Sequence, residues 1–474
     1  MIYRFRTADS LLGRFNELEK QEIYFASPKE LNDPMEGFKD IFWKGDDIVW
    51  KNFFINYIKS LERFFSLMLV SAESIKLTEK DIRLTHQSAI HPPEHTKIVE
   101  RIVKEVFDYP FIASIPKSLS NREGSIRRDE LLSYVNFFHQ NVINAVSKVY
   151  FENGYTDHKH FYNESKELNE MHGQMGNMVE ITNLMVKESG GSVVDSMFSI
   201  LTQMIAQTKL NAKLAMKEKD MNTNGFFLIS EFPEKYLALL EESIYPDWYS
   251  ASFLTDNTNS AIWGHYGDNH KGICLMFKTQ TNEKNEMFLN LDVEYGANSE
   301  GVIRGMRQQL FHKVEYTQKH TEIDFFRSIG RLNRRQLNSL WYKDELGNLS
   351  ECGLHVNSEN KDEWIEGYWN NYYKSITAKL DEWSYEKEYR LILSNNFHDY
   401  STIEERKLKY DFNDLQGIIF GIKTDISDKL KIIKIAERKC RENNREGFDF
   451  FQAFYSKATG KIDSYKLDTG FKVI

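Results

Sequence analysis

Between residues 45 and 245 the apolar side chains recur every three to four positions, a spacing that predicts long helices. Phe53, Phe54, Tyr57, Ile58, Leu61, Phe64, Phe65 and Met68 share one helical face. Ile98, Ile102 and Val106 form a second, and Leu131, Leu132, Val135, Phe138, Val142, Val146 and Val149 a third. After the break at Ser189-Gly190-Gly191-Ser192, Val194, Met197, Leu201, Met204 and Ile205 form a fourth. Met175, Met178, Met197 and Met204 fall on these stripes and read as core filler rather than as a cofactor box.

On either side of this block the period changes. Residues 2–5 and 23–26 read as short strands, with Leu11, Leu12, Phe15 and Leu18 at helical spacing between them. The segment 27–38 is dense in turn residues and acids. Strands are expected at 248–254, 273–277, 289–295, 417–421, 449–455 and 461–467, and helices at 260–266, 322–343, 362–380 and 426–443. The expected architecture is an α+β domain split between residues 1–44 and 246–474, the latter carrying the helical stretches within 322–380. An all-helical insertion, 45–245, interrupts it, and no internal repeat is visible.

The stretch Trp383-Ser384-Tyr385-Glu386-Lys387-Glu388-Tyr389-Arg390-Leu391-Ile392-Leu393 reads as one further strand. Side chains alternate along a strand, so Glu386, Glu388 and Arg390 share one face while Tyr385, Tyr389, Leu391 and Leu393 take the other. Two carboxylates and a guanidinium are costly to bury unless they are paired or used. An ion-paired sheet edge and a catalytic Glu-x-Glu are both consistent with this pattern.

Composition narrows the choice. The chain has 474 residues, 28% of them charged, and a net charge of −9, which disfavours a general nucleic-acid binder. No apolar run is long enough for a membrane span, and Met1-Ile2-Tyr3-Arg4-Phe5-Arg6 has no signal-peptide pattern. Three scattered cysteines fit a reducing, cytoplasmic setting. His158-Lys159-His160 lacks the further ligands of a zinc site, and no P-loop, GxGxxG or GxSxG motif occurs. What remains is a dispersed polar set in aromatic surroundings: Tyr3-Arg4, Ser250, Ser252, Trp263 to Tyr266, and Glu386 with Glu388.

Taken together, five segments resemble a widespread, mainly bacterial family catalogued as domain-of-unknown-function family 2971. They are Tyr3-Arg4-Phe5 with Asn32-Asp33-Pro34-Met35-Glu36; Ser252-Phe253 with Trp263-Gly264-His265-Tyr266 and His270-Lys271-Gly272; Lys379 with Trp383, Tyr385, Glu386, Glu388, Tyr389 and Arg390; Gly417-Ile418-Ile419-Phe420-Gly421; and Phe451-Gln452-Ala453-Phe454. Leu254 stands where the family pattern has a second serine, a part that Thr255 could take. The resemblance covers the two ends of the chain and leaves the helical block as an insertion. The order Arg, Ser, Glu-x-Glu is in turn similar to that of ADP-ribosyltransferases.

That similarity implies a split, mixed or antiparallel sheet that binds NAD and needs no metal. Glu388 would stabilise the positive charge that develops on the ribose as nicotinamide leaves, and Glu386 would orient or deprotonate the acceptor. Arg4 would hold phosphates or ribose beside Tyr3, Ser252 would bond the ribose, and Tyr266 or Trp263 would stack on nicotinamide. Asn32, Asp33, Glu36 and Arg390 would complete the site. The implied acceptor is a protein or nucleic acid, and the implied role is that of a toxin or anti-phage effector. The helical insertion would serve a regulatory partner or a homo-oligomer. Two other readings stand beside this one: a metal-dependent nuclease using Asp33, Glu36, Glu386 and Glu388, and a non-enzymatic sensor.

Overall fold

The computed structural model describes residues 1–71, 75–85, 93–157, 166–217, 223–299, 301–357, 361–394 and 400–468, with side chains excepted at 166–177, 216, 217, 223, 297 and 357. His158, His160 and the side chain of Met175 lie outside the described residues. The fold is α+β and divides into two compact units. One gathers residues 1–38, 246–321 and 373–474; the other gathers 39–245 and 322–372. The stretch 322–372 thus groups with the helical block rather than with the C-terminal part.

The first unit is built on an eight-stranded sheet. In chain order its strands are β1 (Ile2–Arg6), β2 (Trp248–Leu254), β3 (Ile273–Phe277), β4 (His312–Lys313), β5 (Glu388–Ser394), β6 (Leu415–Phe420), β7 (Asp449–Ser456) and β8 (Lys461–Lys466). Their order across the sheet is β4-β5-β2-β1-β3-β6-β7-β8. Every pair is antiparallel except β6 and β7, which are parallel and are joined through the helix Ile426–Glu442. The N-terminal strand therefore lies in the middle of the sheet, between β2 and β3.

Period-two alternation gives the sheet two faces. Ile2, Phe253, Leu275, Leu391, Leu393, Ile418 and Phe420 point to one of them and pack with Ile432, Ala436 and Cys440 of the Ile426–Glu442 helix. Phe5, Leu254, Cys274, Ile419, Ala453 and Ile462 point to the other, where Ile262 and Trp263 of the short helix Ser260–His265 cover them. The strands expected at 248–254 and 273–277 are found with those bounds. The expected strand at 289–295 is the middle of a longer one, Met287–Asn298, paired in a hairpin with Gly301–Leu310. The helix expected through Leu11 and Leu18 is two short helices, Ala8–Leu12 and Glu17–Lys20, with Gly13 as the C-cap of the first.

The second unit is mainly helical. Its long helices are Asp47–Ser71, Pro93–Phe107, Arg128–Glu152, Lys166–Ser189 and Gly191–Lys217. The first and third expected stripes are buried along their length, with Trp50, Phe53, Tyr57, Phe138, Phe232 and Tyr236 among the core residues. The fourth is only partly covered: Val194 is buried, but Met204 is 63% exposed, so it does not act as core filler. The helix expected at 322–343 is instead the strand Glu322–Asp324, a loop, and the short helical turns Arg334–Leu337 and Asn338–Tyr342.

Two sets of buried polar groups in this unit are paired. Arg122 donates through Nη2 to both carboxylate oxygens of Glu130 at 2.7 Å, and Tyr134 donates to the same carboxylate at 2.7 Å. His139 shows a second kind of match. Residues Phe227–Glu231 form a π-helical turn in which the Phe232 N–H bonds the Phe227 carbonyl. Continuing that ladder, the Leu228 carbonyl would meet residue 233, which is proline and has no N–H. His139 Nε2 lies 2.8 Å from that carbonyl, and its Nδ1 lies 2.7 Å from the Tyr57 hydroxyl. Among the described residues no helix is long and apolar enough to cross a membrane.

Candidate functional site

The Glu-x-Glu stretch is not one continuous strand. Residues Asp381–Glu386 form a 3-10 helix, Lys387 adopts the left-handed conformation with φ 49°, and β5 begins at Glu388. This corrects the expectation that Glu386 belongs to the strand. The kink nevertheless brings both carboxylates to one point, the ammonium of Lys379. Lys379 Nζ lies 2.8 Å from Glu386, 2.9 Å from Glu388 and 3.4 Å from Glu36. The lysine is carried by the short strand Ala378–Leu380, which pairs in parallel with Glu315–Thr317.

Arg390 closes the other side. Its Nε and Nη2 each lie 3.0 Å from Glu388, Nη2 also donates to Glu36, and Nη1 donates to the Ile376 carbonyl at 2.6 Å. Three carboxylates and two cations are therefore interlocked, and Glu386, Glu388 and Arg390 are each at most 1% exposed. Such groups are tolerated in the interior only when paired, and here each carboxylate touches a cation. Tyr266 donates to Glu386 at 2.6 Å. The Glu388 backbone N–H donates to the Tyr316 hydroxyl at 2.9 Å.

Glu36 reaches this cluster through turn chemistry. Asp33 accepts from the Met35 N–H at 2.9 Å, and the Glu36 N–H bonds the Asp33 carbonyl at 3.0 Å. Gly37 follows with φ +69°, and a methyl there would sit 2.5 Å from the Trp248 ring, so the turn needs glycine on two counts. Asp33 serves this turn and Asn32 is exposed beside it, whereas Glu36 alone of the three enters the cluster.

The carboxylates differ in proton affinity. Burial raises that of Glu388, but Arg390 and Lys379 outweigh it and hold the group down at about 2. At Glu36 burial wins over the same two cations, with the Glu388 charge adding to it, and the affinity is raised. Tyr266 is pushed well above the usual phenol range by burial and by Glu386 and Glu388, so it stays a proton donor. One carboxylate fixed as an anion and a neighbour that protonates more readily is the asymmetry acid–base chemistry uses.

Of the other expected site residues, Ser252 and Tyr3 lie on the same sheet face as the cluster. Ser252 stands opposite Arg390 in register and hydrogen-bonds Glu388, while Tyr3 and Glu388 both stand opposite Leu254. Arg4 points to the other face. It donates to the Tyr24 carbonyl at 2.8 Å and lies over the Phe253 ring, and burial pulls its proton affinity down. The structure thus separates Arg4 from Glu386 and Glu388. Trp263 is 1% exposed, edge-on to Phe5, with Nε1 bonded to the Asn257 carbonyl. It is a core residue and presents no face for stacking.

Tyr3, Ser252, Tyr266, Tyr316, Trp383 and Tyr385 are all partly exposed, so aromatic rings outnumber other groups around the buried charges. Lys379 Nζ lies 5.1 Å from the Trp383 ring centroid, and His265 meets the Tyr385 hydroxyl at 3.2 Å. Lys379 and Tyr316 had no assigned role on sequence grounds. Lys379 carried one faint signal, its place in the family pattern, and Tyr316 carried none. Among the described residues no group of three or more His, Cys, Asp or Glu is placed to hold a metal ion. The centre of the acidic set expected for a metal is where the Lys379 ammonium lies, and Asp33 is turned to the backbone. No curated protein and no solved structure matches the chain. Residues 262–391, which include Tyr266, Tyr316, Lys379, Glu386, Glu388 and Arg390, match the family described as a protein of unknown function, DUF2971.

Proposed function

We propose that the sheet unit cleaves the nicotinamide–ribose bond of NAD, either transferring ADP-ribose to a macromolecule or hydrolysing the dinucleotide. The observation that carries this reading is Glu388: a carboxylate held ionised on a strand, bonded by Ser252, in a site rimmed by tyrosines. Departure of nicotinamide leaves positive charge on the ribose, and a fixed carboxylate beside it stabilises that charge without reorganisation. Glu386, tied to Tyr266 and Lys379, orients the acceptor or takes its proton. Tyr266 and Tyr3 supply partly exposed rings for the nicotinamide. Arg4 and Trp263 have no part in this form of the proposal, because one lies on the opposite sheet face and the other in the core. The sheet would then be an ADP-ribosyltransferase-like fold, and an activity that depletes NAD or modifies an essential molecule suits a toxin or anti-phage effector.

The test is nicotinamide release from NAD by the purified chain, with cell lysate as a source of acceptors, with and without chelator. Glu388→Gln is expected to lower the rate by on the order of 10²–10³-fold, the loss typical of one well-placed electrostatic contact. Release that persists in Glu388→Gln, or that chelator abolishes, would sink the proposal and return the nuclease reading to the front.

A further inference from the structure

Among the described residues, Lys379 is the only group that touches all three acidic side chains of the cluster from one atom. We infer that Lys379 is a positioning residue, whose ammonium holds Glu386 and Glu388 in place side by side. This inference rests on the NAD reading for its catalytic meaning, though not for its electrostatics.

The groups facing the ammonium come from five elements. Glu36 arrives from the turn after Asp33, Glu386 from the 3-10 helix, Glu388 and Arg390 from β5, Tyr266 from the end of the Ser260–His265 helix, and Tyr316 from the strand beside Lys379. Arg390 neutralises Glu388 and Glu36 but makes no contact with Glu386. Among the described residues, Lys379 is thus the sole cation on Glu386 and the sole bridge between it and Glu388. Without it, two anions two residues apart would be left buried with one guanidinium. Like charges so placed drive one of the pair to take up a proton. A protonated Glu388 would stabilise no developing charge, and a protonated Glu386 would accept no proton.

Two variants separate this role from simple packing. Lys379→Arg retains the charge. Lys379→Met combined with Glu36→Gln removes one cation and one anion together, so the formal charge of the cluster matches the wild type and the loss of a buried partner is softened. The first readout is the acid limb of the pH profile for nicotinamide release. It is expected to lie about one pH unit or more higher in the double variant than in Glu36→Gln alone, the size of effect an adjacent opposite charge has on a carboxylate, and to stay near wild type in Lys379→Arg. The second readout needs no activity: how much thermal stability is lost on acidification below the ordinary carboxylate range, compared between the double variant and Glu36→Gln alone. A carboxylate with a depressed folded-state affinity begins to lose its stabilisation at the unfolded value and has lost it all at the folded one. Raising that folded value by removing Lys379 ends the fall at a higher pH and makes it smaller. A double variant whose acid-side loss overlays that of Glu36→Gln would overturn the inference. A wild type that releases no nicotinamide would count against the NAD reading only, because the stability comparison still decides the role of Lys379.

Discussion

Lys387 is the residue on which the geometry of the carboxylates turns. Its φ of 49° lies in the left-handed region, where an L side chain costs about 1–2 kcal/mol relative to ordinary backbone. That conformation ends the 3-10 helix and starts β5, so Glu386 and Glu388 approach the same ammonium from different elements. Lys387→Gly, which accepts the conformation freely, is expected to leave stability in urea within about 1 kcal/mol of wild type. Lys387→Val, β-branched and strongly averse to positive φ, is expected to lose about 1–3 kcal/mol. Equal stability of the two would show that the backbone at this point is not held. At this scale the sequence was informative about destination but not about path. The sequence reading brought Glu386 and Glu388 together through a shared strand face, whereas the structure does so through the kink at Lys387. The kink was not legible, because left-handed positions usually announce themselves as glycine or asparagine. Lys379 stood out only through its place in the family pattern, because Glu36 comes from a remote segment and spacing alone does not show that Glu386 and Glu388 fold back onto the lysine.

Elements with a strong period were legible and elements without one were not. Trp248–Leu254 and Ile273–Phe277 are dense in aromatic and branched residues and are buried on both faces. Gly301–Leu310, by contrast, is mostly exposed and alternates weakly, with Arg304, Arg307, Gln308 and Gln309 along it, so only its hairpin partner showed. Among the helices, the π turn at Phe227–Glu231 is a local departure that Pro233 imposes and His139 compensates. With Nε2 beside a carbonyl, His139 donates there and accepts the Tyr57 proton at Nδ1, which requires the neutral ring. Burial accordingly lowers its proton affinity to about 4, against an ordinary value near 6.5, with the bond to Leu228 acting the other way. A histidine held neutral in the fold contributes fully above about pH 6.5, and that contribution drains away as pH falls toward 4. The stability advantage of wild type over His139→Gln, read from thermal midpoints, is therefore expected to be largest near pH 7 and to shrink steadily down to pH 4. A constant gap would mean that the ring is not held neutral.

For the whole molecule, the sheet unit draws on three separated stretches of chain, and at its centre is β1, remote in sequence from both strands it pairs with. Ile2, Phe5 and their neighbours on β1 pair with β2 on one side and β3 on the other. Removing residues 2–6 is expected to abolish the cooperative unfolding transition of this unit, monitored by near-ultraviolet circular dichroism, because both neighbouring strands would lose a partner and both core clusters a row of side chains. A deletion variant with an unchanged transition would mean that β1 is dispensable. The same arrangement has a consequence in time. Neither flanking strand exists until translation has passed Trp248, and β5, which carries Glu388, comes more than a hundred residues later. At about 5–20 residues per second the ribosome needs on the order of ten to fifty seconds to cover the first of these gaps. Throughout that interval the emerging chain holds an unmatched strand and no assembled carboxylate cluster. A translation product interrupted before Glu388 therefore lacks the charged centre.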